Sequence, residues 1–461
     1  MKKRCFVAAA ALLLGACTTP SAPPATQSGL ASATERWITT WAAPAVARVD
    51  QPAQTLSAAA LAYPWARDVP AAVDAVGIGT QPLPVGGMSP LHFKDQTLRQ
   101  ITRVSVGGTR LRVVLSNSLG TVPLRIGAAQ VALRDTGPGI VVGSNRVLTF
   151  GGIAQPVVPA GALMISDPVD LAVKDFDDLA IDLHLPDDTS IWKSPVTVHP
   201  ASWQVNYVSS QGNYVGATRI PVTATTAYRR SDGLASASSF FLARVEVVTA
   251  RPTGVLVAFG DSITDGTQSG MDVNRRWPDL LAIRLHGADI RLSVVNGGIG
   301  GGRVLEDGVG PNALARFDRD VLAQPGVTHV TILEGVNDIR AGGNKPSPSV
   351  ADLIAGHRQL IDRAHARGLR VFGGTVLPFE GDSNWTPEGE AKRQALNDWI
   401  RQSGAYDAVL DFDHSVRDPS RPTRMQAKFD SGDHLHPAPA GYRVMADSIN
   451  LNLFREGVLA K

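Results

Sequence analysis

Val255-Leu256-Val257-Ala258-Phe259-Gly260-Asp261-Ser262-Ile263-Thr264-Asp265-Gly266 joins an apolar run to a turn, and the rest of the chain is organised around it. Five apolar residues run into Gly-Asp-Ser. A run this short, bounded by turn residues, reads as a buried strand. The residues after it read as a turn that presents one hydroxyl. A free serine hydroxyl is a poor nucleophile and needs a base within hydrogen-bond reach. Ser262 is therefore a catalytic candidate only if the rest of the chain supplies that base.

Downstream, strands and helices alternate. Apolar runs at 255–259, 292–296, 329–334, 369–376 and 408–412 read as strands. Helical patterns follow from Pro278, over 312–322, from Ser347-Pro348 to Arg367, from Thr386-Pro387 to Gln402, and over 438–454. Proline at a helix start and Gly368 after a helix end fit the usual terminal preferences. Five strands, each followed by a helix, predict a parallel sheet with helices on both faces. Sites in such sheets form outside the carboxyl ends of the strands.

The chemistry-bearing residues sit at those ends. Asp433-His434-Leu435-His436-Pro437 supplies a base and a carboxylate to orient it, because Asp433 and His436 are three apart. His436 Nε2 is then free to face Ser262. Asn296-Gly297-Gly298-Ile299-Gly300-Gly301-Gly302 offers backbone N–H groups with no side chain in the way. Gly335-Val336-Asn337-Asp338 offers the Asn337 amide. Together with the Ser262 N–H these are candidate oxyanion donors. Any one block could be a plain turn; their conjunction, in order and at strand ends, is the argument. Asp261 reads as shaping the turn. Asp265 and Asp338 suit structural hydrogen bonding.

With these blocks in view, the chain resembles the SGNH (GDSL-type) hydrolase family. The resemblance rests on Ser262 in Gly-Asp-Ser-Ile, Gly301 in the glycine run, Asn337 in Gly-Val-Asn-Asp and His436 in Asp-His-Leu-His-Pro, with Asp433 as triad acid. It covers roughly 254 to the C-terminus. It implies a flavodoxin-like three-layer α/β/α domain and ester hydrolysis through an acyl-serine intermediate, with no metal or organic cofactor. Ile263 replaces the leucine of the family's name. The glycine run leaves Gly300, Gly301 and Gly302 open as the backbone donor.

The first half has a different rhythm. Over 35–250 the periodicity is mostly two, as in 179–185, where four aliphatics alternate with Ala180, Asp182 and His184. That pattern predicts strands with one buried face and one wet face, in an all-β, jelly-roll-like sandwich. Residues 103–106, Gly107-Gly108 and 111–115 read as a hairpin. Trp192 and the 203–207 segment, with Trp203 and Tyr207, read as core and edge residues rather than a sugar-stacking surface. The sandwich resembles the accessory domain of some two-domain SGNH esterases, including carbohydrate acetylesterases.

Before it, Met1-Lys2-Lys3-Arg4, a short apolar run and Leu14-Gly15-Ala16-Cys17 read as a lipoprotein signal peptide. Residues 1–17 are the signal segment, with Cys17 the lipidated residue. Residues 18–34 are a flexible tether, 35–250 the β domain and 251–461 the hydrolase domain. Thr18 after the cysteine resembles outer-membrane lipoproteins of Gram-negative bacteria. The expected anchor is thus a membrane lipid. Cys5 and Cys17 are the chain's two cysteines, so no disulfide framework is available beyond this segment.

Composition narrows the function further. Apolar residues make 44% of the chain and charged ones 19%, as in a globular protein. A net charge of +2 with no basic cluster after the N-terminus argues against a nucleic-acid partner. An α/β-hydrolase elbow would need glycine where Thr264 stands. A dinucleotide fingerprint fails at Arg303. A metal-dependent deacetylase using Asp433, His434 and His436 would leave Ser262 idle. The substrate expectation is an ester, with O-acetyl groups on a polysaccharide ahead of a broad short-chain esterase or lipase. A non-catalytic carbohydrate-binding lipoprotein is the reading from another class.

Overall fold

Period-two alternation carries the first half into antiparallel strands. The computed structural model describes residues 35–48, 92–191, 194–229, 235–251, 253–340 and 347–455. The signal segment, Cys17, the tether and Trp192 lie outside them. The strands are β1 (Trp37–Ala42), β2 (Val46–Arg48), β3 (Gln96–Arg103), β4 (Gly108–Ser116), β5 (Ala128–Leu133), β6 (Val169–Val173), β7 (Asp178–Leu185), β8 (Val196–His199), β9 (Tyr207–Gln211) and β10 (Leu242–Val248), with several shorter pieces. One sheet has the order β1-β10-β4-β6, and Leu163–Ile165 also pairs with β4. A second runs Val222–Thr225, β9, β3, β7, β5, Arg146–Val147. A small third sheet sets β8 between β2 and Ser239–Phe240. Leu98, Leu179, Ile181 and Leu183 of the second sheet share a core with Leu111, Val113, Val245 and Val247 of the first.

Two expectations fail here. The hairpin across Gly107-Gly108 does not form: β3 pairs with β7 and β9, whereas β4 pairs with β10, β6 and Leu163–Ile165. The connection crosses between sheets. Its backbone bonds go to long-range partners, with the Ser105 N–H donating to Thr40 O and the Gly107 N–H to Asp175 Oδ1. The second correction concerns the polar face of β7, which is not wet. Asp182 is fully buried, and Ala180 packs in a small second core with Ile101, Ile140 and Tyr207. The register sets Asp182 opposite Arg99. The guanidinium meets the carboxylate at 2.6 and 2.8 Å, and Gln130 and the Gly216 N–H complete the carboxylate's partners. A charge can be buried in this way only because it is paired and hydrogen-bonded.

The second half follows the alternation read from the sequence. Strands β11 (Gly254–Gly260), β12 (Leu292–Gly298), β13 (Val327–Leu333), β14 (Arg370–Gly374) and β15 (Ala408–Leu410) form an all-parallel sheet of order β12-β11-β13-β14-β15. That is a flavodoxin-like order, with the switch point beside β11. The helices are α1 (Ser262–Asp265), α2 (Trp277–Gly287), α3 (Ala313–Phe317), α4 (Val336–Ile339), α5 (Val350–His365), α6 (Pro387–Gln402), α7 (Phe412–Val416) and α8 (Pro439–Ser448). They pack in two groups, α2 with α8 and α7, and α3 with α5 and α6. Boundaries shift for local reasons. Helix α5 starts after Ser349, whose hydroxyl accepts from the Asp352 N–H in a capping box. The expected 438–454 helix breaks at Ile449 and resumes as a 3-10 turn at Leu451–Phe454.

From Arg36 onward the described residues make one compact unit. The antiparallel region lies against the edge strand β12. The Val294 N–H donates to Ser105 Oγ, and Ser293 Oγ donates to Thr39 O, both at 2.8 Å.

Candidate active site

Parallel register sets Gly260, Gly298 and Leu333 side by side, so the motifs that follow them start at one level. Strand β11 is buried along its whole length. Asp261 then ends it: its side chain accepts from the Ile263 N–H at 2.8 Å and caps α1. Ser262 is the first residue of that helical turn, 4% exposed. Glycine is required beside it. A Cβ on Gly298 would lie 2.3 Å from the backbone nitrogen of Asp265.

The far end of the chain brings the base. Ser262 Oγ lies 2.8 Å from His436 Nε2, and His436 Nδ1 lies 2.6 Å from Asp433 Oδ2. Asp433 Oδ1 accepts from the backbone N–H groups of Leu435 and His436 and from Ser431 Oγ. Burial alone would raise the Asp433 carboxyl. The His436 charge and these hydrogen bonds outweigh it and hold the group well below the usual carboxylate range. A carboxylate that accepts from Nδ1 leaves Nε2 to accept the Ser262 proton.

The glycine run separates its three candidates by what each N–H already does. The Gly300 N–H donates to Asp265 Oδ2 at 3.1 Å, and the Gly302 N–H donates to Ile299 O at 2.9 Å. Gly301, at φ +72°, finds no partner for its N–H among the described residues. Asn337 Nδ2 donates one hydrogen to Gly302 O at 3.0 Å and keeps a second. The structure thus gathers Ser262, Asp433 and His436 into one hydrogen-bonded line. It places Gly301 on the loop that leaves β12 and Asn337 in α4, the helical turn after β13.

His434 does not join the cluster. It has φ +61° and turns to Asp430, with Nδ1 2.6 Å from Oδ2. Among the described residues no three His, Cys, Asp or Glu side chains converge as a metal-ligand set.

Residues 258–444 match the model of the GDSL-like Lipase/Acylhydrolase family. The chain carries a GDSL-like lipase/acylhydrolase domain. It is a carboxylic ester hydrolase. Similar solved structures include a lipolytic protein of the G-D-S-L family from Desulfitobacterium hafniense DCB-2, 21% identical over 42% of this chain and 97% of that one, TM-score 0.34. A GDSL-like lipase from Bacteroides thetaiotaomicron VPI-5482 is 20% identical over 42% and 84%, TM-score 0.32. The aryl esterase of M. smegmatis is 19% identical over 42% and 96%, TM-score 0.35. No curated protein matches the chain.

Sequence reading missed several side chains that support the GDSL domain's strand ends. Arg316 is fully buried and stacks 3.9 Å above the Phe259 ring. It donates to Gly297 O and Gly260 O, at 2.8 Å each, and to Glu334 at 3.0 Å. Burial keeps the Glu334 carboxyl well above its usual range despite Arg316. Burial likewise raises Asp338 to about 6, although the Val304 and Leu305 N–H groups favour its charged form. Arg340 reaches Asn337 Oδ1 at 3.4 Å and is itself held by Asp382 through two hydrogen bonds, of 3.0 and 2.7 Å. Finally, His199 of the antiparallel region reaches Asp265. No motif announces these residues, because a buried arginine or histidine is defined only by what folds around it.

Proposed function

We propose that Ser262 is the nucleophile of an esterase whose triad is completed by His436 and Asp433. The observation that carries this reading is the 2.8 Å contact between Ser262 Oγ and His436 Nε2, continued at 2.6 Å to Asp433. His436 takes the Ser262 proton as Oγ attacks the ester carbonyl. Asp433 holds the ring's orientation and stabilises the imidazolium. The N–H groups of Ser262 and Gly301 and the Asn337 amide receive the oxyanion. The C–O bond to the alcohol breaks, and His436 returns its proton to the leaving oxygen. Water repeats the sequence on the acyl-serine and frees the acid. The test is Ser262→Ala in the purified chain with p-nitrophenyl acetate. Turnover should fall to background and labelling by a serine-directed organophosphonate should vanish; unchanged turnover would falsify the assignment.

For substrate we favour O-acetyl groups on a carbohydrate. Supporting this are the β region, the signal segment and the lack of an apolar lid-like stretch between the four sequence motifs. The family's description as lipase/acylhydrolase favours the second reading, a broad short-chain esterase. Acetate release from acetylated xylan or pectin, set against C2 to C12 nitrophenyl esters, separates them. Release from the polysaccharides no faster than from simple acetates would leave the broad esterase. We also infer that Cys17 is lipidated and that 18–34 tether the enzyme to an outer membrane. Cys17→Ser should then abolish incorporation of radiolabelled palmitate; labelling that persists would remove the anchor from this reading.

A further inference from the structure

We propose that His199, from the antiparallel region, is a positioning residue for the oxyanion loop, acting through Asp265. This rests on Gly301 serving as an oxyanion donor, as proposed above. Strand β8 ends at His199, whose ring is buried between two acceptors. Nδ1 lies 3.0 Å from Pro44 O, and Nε2 lies 3.0 Å from Asp265 Oδ1. A carbonyl oxygen can only accept, so Nδ1 carries a hydrogen. A carboxylate oxygen also accepts, so Nε2 carries one too. The ring is then an imidazolium with Asp265 as its counterion. Burial works against that charge, but the Asp265 charge and hydrogen bond and the Pro44 carbonyl outweigh it and raise the ring's pKa, with Arg276 opposing.

Asp265 is where this matters. It is the last residue of α1, the helical turn that begins with Ser262. Its other oxygen, Oδ2, accepts the Gly300 N–H at 3.1 Å. One carboxylate therefore ties the nucleophile's turn to the peptide that precedes the Gly301 N–H. Gly300 and Gly301 have no side chains to anchor them, and Gly301 sits in left-handed backbone that glycine leaves easily. With one oxygen fixed by an imidazolium that is itself pinned to Pro44, the carboxylate cannot rotate away from Gly300. A merely stabilising ion pair would affect melting temperature and leave the oxyanion geometry alone.

The experiment uses the full chain with His199→Asn, His199→Gln, Asp265→Asn, Asp265→Ala and the Asp265→Ala/His199→Asn pair. It reads kcat and KM for p-nitrophenyl acetate, inhibition by an alkyl boronic acid as a tetrahedral mimic, and thermal melting. Asparagine can replace the Nδ1 contact to Pro44 but cannot reach Asp265; glutamine can place an amide N–H near the Nε2 position. His199→Asn should lower kcat roughly 10- to 100-fold, the scale expected for a sub-ångström to 1 Å misplacement, with KM within about twofold. Boronate affinity should fall in parallel. His199→Gln should recover most of the loss, and His199→Asn should add little once Asp265→Ala is present. Should the histidine variants not fold, Asp265→Ala carries the test, because it removes the acceptor of the Gly300 N–H, which the amide oxygen of asparagine could replace, and kcat should fall alike. Equal losses in the two histidine variants, a loss confined to KM, or unchanged kcat in Asp265→Ala would overturn the proposal. Those outcomes with Ser262→Ala still inactive reject this inference alone, whereas an active Ser262→Ala rejects the parent reading.

Discussion

Asn337 shows how much a single amide depends on its neighbours. One of its hydrogens is spent on Gly302 O, and the second is the one proposed to meet the oxyanion. Which end of the amide carries the nitrogen is set by Arg340, which donates to the oxygen end and is clamped by Asp382. Asn337→Ala should lower kcat roughly 10²- to 10³-fold with little change in KM, the effect of removing one such donor. Steady-state kinetics on a nitrophenyl ester checks this, and a raised KM with intact kcat would place Asn337 in substrate binding instead. At this scale the sequence was informative. Ser262 and Asn337 stand in local motifs that directly follow β11 and β13, and Asp433 and His436 in a local motif on the irregular stretch before α8. Asp261 behaves as read, capping α1. His199 was not legible, since it acts on a residue far away in the chain, and neither was Arg340, whose clamp Asp382 lies far from it.

At the scale of elements, hydrophobic rhythm located the five parallel strands and the helices between them. It failed where a local signal had two meanings. Gly107-Gly108 looks like a hairpin turn, yet it marks a crossing between sheets. The alternation in β7 looks like a wet face, yet a second small core covers it. Helix α5 carries a further consequence in His357, which is fully buried with Nδ1 2.6 Å from the Tyr406 hydroxyl. Burial pushes this ring, and that of His329 on β13, down to about 4. Between roughly pH 6.5 and 4 the unfolded chain binds protons that the folded rings exclude, so each histidine removes up to roughly 3 kcal/mol of stability as pH falls. Asp338, raised to about 6, acts in the opposite direction over nearly the same window. A difference measurement isolates His357. The loss of stability in His357→Phe, read from urea midpoints, should be smaller at pH 4.5 than at 7.5. An equal loss at both would show that the ring titrates normally.

On the scale of the whole molecule, the antiparallel region is built into the hydrolase half. Beyond the bonds to β12, the Thr39 N–H donates to Pro325 O at 2.9 Å, and Arg319 donates to Ala45 O at 3.0 Å. Ile38 of β1 packs so closely on Gly326 that a Cβ there would sit 2.7 Å away. Removing the first half would uncover the edge of the parallel sheet and this apolar surface, conditions that favour association over folding. Residues 251–461 expressed alone should therefore lack near-ultraviolet circular dichroism and esterase activity. A soluble, fully active fragment would establish the two halves as independent domains.

Read alone, the chain pointed to the parallel sheet, to Ser262 as a candidate nucleophile and to the partners expected around it. Apolar periodicity and turn chemistry are local properties, and each motif is a short contiguous run. Which glycine finds no partner for its N–H among the described residues emerged only on folding, because Asp265 and Ile299 engage the flanking two. Folding alone brought His199 to the helical turn that holds Ser262. Charges buried far apart in the chain carry no local pattern; their meaning comes from the low-dielectric contacts that folding creates.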